Sequence, residues 1–234
     1  MSELERVVQT ALAEVGYLEK KTNSQLDNKT SNAGYNNYTK YARDLDAIPN
    51  FYNGKKNGYA WCDMFVDWCF VTALGVDRAK ELLNQPNRSY GAGCEESKNY
   101  YKKINQFFNT PKKGDQIFFK NSSGKMYHTG LVYDVDNTYV YTVEGNTSSA
   151  SGVVENGGAV EKKKYKLNYS KIGGYGRPKY KEVEEMEFNS GIEALNYLVE
   201  RGRVSDKEYW LKVLDTTKNV EYLFMKWAED FSKN

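Results

Sequence analysis

In several segments before residue 107 the apolar positions recur at helical spacing, and in separate runs between residues 116 and 178 the period is that of strands. A change of period from 3.6 to 2 marks a change from helices to strands. Leu4, Val7, Val8, Ala11, Leu12 and Val15 form one stripe, with Ser2 and Glu5 in a capping-box pattern ahead of it, and predict a first helix over 3–15. Residues 21–37 are rich in Asn, Ser, Thr and Gly and read as a long ordered loop, followed by a short helix over 38–45. In residues 61–74, Phe65, Trp68, Cys69, Thr72 and Ala73 share one side of a buried helix that Gly75 can end. Two more helices are predicted over 76–84 and 95–107. Strand-like runs follow at 116–119, 129–135, 138–144, 159–165 and 172–178, with Asp136-Asn137 as a tight turn between the second and third. Helices first and an antiparallel sheet of about five strands second predict an α+β domain.

Past residue 181 the period returns to that of helices, over about 191–201, 206–215 and 219–232. Ser190 with Glu193 and Ser205 with Glu208 match the capping-box spacing. Ile192, Leu195, Leu198, Val199, Trp210, Val213, Leu214, Leu223, Phe224 and Trp227 can form one small core. The expected organisation is therefore a first domain at 1–180 and a helical C-terminal module at 181–234, the latter small enough to lean on other surfaces or on copies of itself.

The chain has 234 residues, 40% apolar and 27% charged, a balance that excludes disorder, a collagenous fibre and a membrane span. Net charge is +2, split as +6 over residues 1–180 and −4 over residues 181–234. Six charges over so long a stretch fall short of a nucleic-acid-binding stripe, so neither nucleic acid nor membrane is expected as a partner. The opening MSELERVVQTALAEVG is charged throughout and has neither signal-peptide nor transmembrane character, so synthesis in the cytoplasm is expected. Three cysteines, Cys62, Cys69 and Cys94, are too few and odd in number for a disulfide framework.

Cys62 stands where a glycine-containing loop enters the buried helix. The helix N-terminus favours a thiolate and can offer the Cys62 N–H to a developing oxyanion. The plainer alternative is a small buried hydrophobe, as Cys69 is read; neither Cys69 nor Cys94 is given a part. His128 is the chain's one histidine and begins the second strand, so it is the available base. An exposed histidine with no role is the alternative. Glu144 ends the next strand, where hairpin pairing would place it beside His128 to fix the ring's tautomer. Asn146 could do the same through its amide oxygen, and a simple turn at EGN is the plain reading. Zinc is disfavoured because no Cys-x-x-Cys knuckle occurs, and FYNGKKNGYAW offers no Asp-rich run for calcium, so no metal and no cofactor are expected.

The W-C-D-x-F-V-x-W block at Trp61 to Trp68, K-x-G-D-x-I-F-F at Lys112 to Phe119, H-T-G-L-V-Y at His128 to Tyr133 and E-G-N-T at Glu144 to Thr147 together resemble the CHAP amidohydrolase/peptidases over residues 3–180. Members of that family are cysteine enzymes of papain-like fold that cut bacterial peptidoglycan and are common in phage endolysins. The resemblance implies Cys62 as nucleophile, His128 as base, Glu144 as orienting acid and Asn146 as a fourth polar member. It implies cleavage of the muramoyl–L-alanine amide first, with a peptidoglycan endopeptidase, a non-catalytic wall-binding or virion module, or an intracellular thiol protease or deamidase as alternatives. Tyr35 and Tyr38 in YNNYTKY, with Trp61 and Tyr127 beside the implied nucleophile and base, are candidates for contact with glycan or stem peptide; ordinary packing is the alternative. Synthesis in a host cytoplasm and release to the cell wall would follow. The tail resembles short helical modules of Gram-positive phage wall hydrolases, which implies wall targeting or homo-oligomer formation.

Overall fold

A computed structural model describes residues 1–88, 90–148, 158–181, 188–217 and 220–232. They divide into two compact units, one spanning Glu3–Tyr180 and the other Lys181–Asn234 together with Met1–Ser2. Residues 182–187 lie outside the described residues.

The first unit runs α1 (Glu3–Ala13), α2 (Lys40–Asp46), α3 (Cys62–Leu74), α4 (Val76–Leu83), α5 (Cys94–Lys103), β1 (Phe107–Phe108), β2 (Gln116–Lys120), β3 (Met126–Val135), β4 (Tyr139–Thr147), β5 (Ala159–Lys166) and β6 (Ile172–Gly176). All six strands pair antiparallel in the order β1-β6-β2-β3-β4-β5. The fold is α+β as expected, with six strands instead of five. The extra strand, β1, comes from the end of the segment read as helix to residue 107. Tyr100, Tyr101, Ile104 and Phe107 keep the helical period, but Asn105 takes φ +55° and the Gln106 N–H turns back to the Tyr101 carbonyl. The chain then leaves the helix and Phe107 pairs with Gly176.

Helix α3 turns no polar face to solvent along Cys62–Phe70, its two carboxyls Asp63 and Asp67 being buried with the rest, which makes it a core helix. Every residue from Cys62 to Phe70 is buried, and Met64, Phe65, Val66, Cys69 and Phe70 meet Val7, Val8 and Ala11 of α1 and Phe118, Leu131 and Val143 of the sheet. The alternate positions Ile117, Phe119, Val132 and Val140 form a second cluster. Around the start of α3 the Tyr41 ring lies 4.8–5.4 Å from the rings of Tyr17, Trp61, Phe65 and Trp68. Where α3 meets β4 there is no room for a side chain: a Cβ on Gly145 would fall 2.6 Å from Phe65 Cβ and 2.8 Å from the Trp61 ring. The segment 21–37 is tied down by backbone bonds such as Lys21 N–H to the Asn32 carbonyl, and by the Asn32 amide to Thr22 and Ser24.

The second unit holds α6 (Gly191–Glu200), α7 (Lys207–Thr216) and α8 (Val220–Ser232). Its core is Phe188, Ala194, Leu195, Leu198, Val204, Phe224 and Ala228. Ser190 caps α6 by accepting from the Glu193 N–H, and the Glu193 carboxylate accepts from the Asn189 N–H. At α7 the cap is Asp206, which accepts from the Tyr209 N–H, and not Ser205. The carboxylate one residue on is the one whose backbone stands at the helix start. Ile192, Leu223 and Trp227, expected in the core, are exposed.

Candidate active site

Cys62 is the first residue of α3. N–H groups in that turn have no carbonyl partner within the helix, and their positive end faces the thiol. His128 is the third residue of β3, and Glu144 lies in β4. Both strands are interior to the sheet, so the two residues meet at strand ends and not on an edge strand. Glu144 Oε2 stands 2.9 Å from His128 Nε2, with the pair 0% and 1% exposed. Thr142 Oγ1 donates to the other carboxylate oxygen at 2.6 Å, and the Tyr165 hydroxyl donates to Oε2 at 3.2 Å, so the carboxylate has one fixed orientation. The register that pairs Leu131 with Val143 sets Gly130 across from Glu144. A Cβ on Gly130 would lie 2.5 Å from Glu144 Cγ. Its absence is what lets the carboxylate cross to the histidine on the neighbouring strand.

With Nε2 on Glu144, His128 Nδ1 makes no hydrogen bond at standard distance among the described residues and is left for the facing thiol. Cys62 and His128 act directly on each other. Hydrogen bonding from Cys94 is the largest influence on the Cys62 thiol; burial opposes it, the bond and charge of His128 and the Asp63 N–H reinforce it, and the thiol is held well below its ordinary value. Burial works against the imidazolium, but its hydrogen bonding to Cys62 and Glu144 and their charges outweigh it, and the His128 pKa rises to about 10. Between those limits the pair is a thiolate and an imidazolium. Such a pair can attack a carbonyl carbon, place the oxyanion at the helix N-terminus and return a proton to a leaving amine.

Residues next to the nucleophile hold the frame. Asp63 is buried and accepts from Ser97 Oγ of α5 at 2.8 Å and from Gln116 Nε2 of β2 at 3.0 Å. Gln116 Nε2 also donates to Thr129 Oγ1, beside His128. Three elements are thereby pinned to one carboxyl, whose pKa burial and the charges of Asp67 and Cys62 keep well above the carboxylate range.

The residues proposed from the sequence separate here. Cys62, His128 and Glu144 come together. Asn146 does not take the orienting place: it is buried in a left-handed conformation, φ +52°, with its amide oxygen unbonded among the described residues. Trp61 is fully buried and donates its indole N–H to Glu19 at 2.9 Å, so its ring supports the core and is closed to a ligand. Tyr127 is 38% exposed beside His128, and Tyr35 is 74% exposed. Tyr38 is half-buried, its ring against Gly58 in the loop that leads to Cys62. The sequence reading missed a pocket of about 300 Å³ lined by Lys56, Tyr59, Ala60, Met64, Gly93 and Glu96, on the two segments that lead into Cys62 and Cys94. It also missed Cys94, whose sulfur lies 3.7 Å from that of Cys62. No spacing signal links two cysteines 32 residues apart. Among the described residues no group of three or more His, Cys, Asp or Glu is arranged to hold a metal ion. No helix among them is long and apolar enough to cross a membrane.

Compared with known families, residues 54–146 match the CHAP domain. That stretch contains Cys62, His128, Glu144 and Cys94. No curated protein and no solved structure matches the chain.

Proposed function

We propose that this chain, which carries a CHAP domain, is a peptidoglycan hydrolase working through a Cys62 thiolate. CHAP domains are cysteine- and histidine-dependent amidohydrolases and peptidases. The observation that carries the reading is the buried line of Cys62, His128 and Glu144 within that domain, with His128 Nε2 2.9 Å from Glu144. In the reaction the thiolate adds to the amide carbonyl carbon and the Cys62 N–H takes the oxyanion. His128 gives its proton to the departing nitrogen as the C–N bond breaks, leaving a thioester. Water, deprotonated by the now neutral His128, hydrolyses the thioester and regenerates the thiolate. Glu144 holds the ring in position and stabilises its charged form.

The bond we assign is the amide between N-acetylmuramic acid and L-alanine. The pocket at Lys56, Tyr59 and Glu96 supports a peptide or glycan lying along the loop that precedes Cys62, with Tyr38 and Tyr127 as further contacts. The setting is endolysin-like: release to the wall of a Gram-positive cell and lysis from within, the C-terminal module serving wall targeting or self-association. The test is digestion of purified walls by the reduced protein, followed by mass spectrometry of the fragments. New L-alanine N-termini mark the amidase; new termini inside stem or cross-bridge mark an endopeptidase. Cys62→Ala should lose more than about 99% of the activity with an unchanged circular dichroism spectrum. Near-normal digestion by Cys62→Ala would remove the mechanism.

A further inference from the structure

We infer that Cys94 is a positioning residue for this site, its S–H donating to the sulfur of Cys62 and holding that sulfur as a thiolate aimed at His128. The inference rests on the reading of Cys62 as nucleophile. Its geometric basis is the 3.7 Å between the two sulfurs, a hydrogen-bond distance for a pair of this size. Both side chains are buried, 8% and 7% exposed, so no solvent layer separates them or stands ready to replace the bond.

The approach is built in. Cys94 opens α5 as Cys62 opens α3, and Asp63, the next residue of α3, accepts from Ser97 Oγ, about one turn along α5, at 2.8 Å. That buried bond sets the two helix starts side by side. The thiol pair is unsymmetrical, because His128 acts on Cys62, whereas the groups acting most strongly on Cys94 are Cys62 and the acidic Asp63. The hydrogen bond to Cys62, burial and those two charges push the Cys94 pKa well above its ordinary value. The proton therefore stays on Cys94 and the charge on Cys62. The groups facing Cys62 are His128 from β3, with Glu144 of β4 behind it, Cys94 from α5, and Asp63 on its own helix. Of these, Cys94 is the neutral thiol whose sulfur lies at 3.7 Å from that of Cys62.

A role in packing alone and a role in hydrogen bonding make different predictions. The measurement is the rate at which iodoacetamide alkylates Cys62 in the full chain, read by peptide mass spectrometry across pH. Reduced wild-type protein should show a midpoint below that of a free thiol. Cys94→Ala should raise the midpoint by about one pH unit, a tenfold smaller thiolate fraction on the acid side. Cys94→Ser keeps a donor and should stay within about 0.3 unit of wild type. If Cys94→Ala fails to fold, Cys94→Val fills the space without a donor and is expected to shift as Ala does. Equal midpoints in wild type and the donor-free variant overturn the inference. So does an equal shift in the Ser and donor-free variants, which would leave packing alone. Alkylation needs no substrate, so failure of the peptidoglycan reading shows separately, as wall digestion that survives Cys62→Ala.

Discussion

At the scale of single residues, the charge on Glu144 is as informative as its position. Its carboxylate helps raise the His128 pKa to about 10, so the ion pair with Cys62 persists until the pH approaches that value and is lost beyond it. Glu144→Gln keeps the shape and removes the charge. The imidazolium is then less favoured, its pKa falls, and the alkaline limb of kcat/KM on soluble muropeptides should move down by about one unit or more. The rate should fall about 10- to 1,000-fold. A variant with wild-type rate and an unmoved limb would show that Glu144 does not orient the ring. This part of the site was legible in the sequence, because a thiol at a helix start, the one histidine and a carboxylate on the next strand are chemistry written in residue type and order. Asn146, two residues past Glu144, could not be separated from it by that reasoning. The separation needed the 2.9 Å contact and the clearance above Gly130.

At the scale of elements, β3 and β4 can bring His128 and Glu144 together because one position lacks a side chain. Gly130→Ala would put a methyl group 2.5 Å from Glu144 Cγ and 2.9 Å from the Val143 carbonyl. Either the carboxylate leaves His128 or the strands part. Activity should drop at least about tenfold and stability by about 1–3 kcal/mol, measured by digestion and by denaturant unfolding. Full activity would mean the carboxylate has another route to the histidine. Helix α3 carries a second buried carboxyl, Asp67, bonded to the Tyr52 hydroxyl and the Gln85 amide, and burial raises its pKa to about 7. The folded protein keeps that proton from about pH 4 to 7, where the unfolded chain has released it, so Asp67 lowers stability as pH rises through this window. The Tm of Asp67→Asn minus that of wild type should therefore climb between pH 5 and 8, by about 2–4 °C for each kcal/mol, and level off above. A difference that is flat with pH would refute the assignment. Periodicity predicted α1 to α4 well. It carried α5 four residues too far, because an aromatic spacing that fits a helix also fits the turn into β1. The meeting of α3 and α5 was not legible at all, since the Ser97–Asp63 bond is a matter of packing between helices and has no sequence period.

At the scale of the whole molecule, each unit has its own buried core, and all the residues of the candidate site lie in the first. Truncation after Tyr180 should leave a folded protein that cleaves soluble muropeptides at close to the full rate. If the tail targets or assembles, lysis of intact cells should fall about tenfold or more. Light scattering separates the two, since assembly predicts a change from oligomer to monomer. Undiminished lysis would leave the tail without either role. Tyr222 and Trp227 are 60% and 45% exposed and are the contact candidates on α8, whereas Trp210 packs its ring 5.1 Å from Phe224 and serves the module's own core.

Two sulfurs 3.7 Å apart, one of them a thiolate, also form a dithiol that an oxidant can close. Hydrogen peroxide would convert Cys62 to a sulfenic acid with release of hydroxide, and the Cys94 thiol would displace water from it to leave a disulfide, two electrons passing to the peroxide in all. The protein should then go silent on walls and towards iodoacetamide, recover fully with dithiothreitol, and yield a Cys62–Cys94 linked peptide pair when digested unreduced. With Cys94→Ser no resolving thiol is present, and the same treatment should carry Cys62 on to sulfinic acid, from which dithiothreitol brings nothing back. Absence of the linked pair from inactivated wild-type protein would show that the sulfurs do not close.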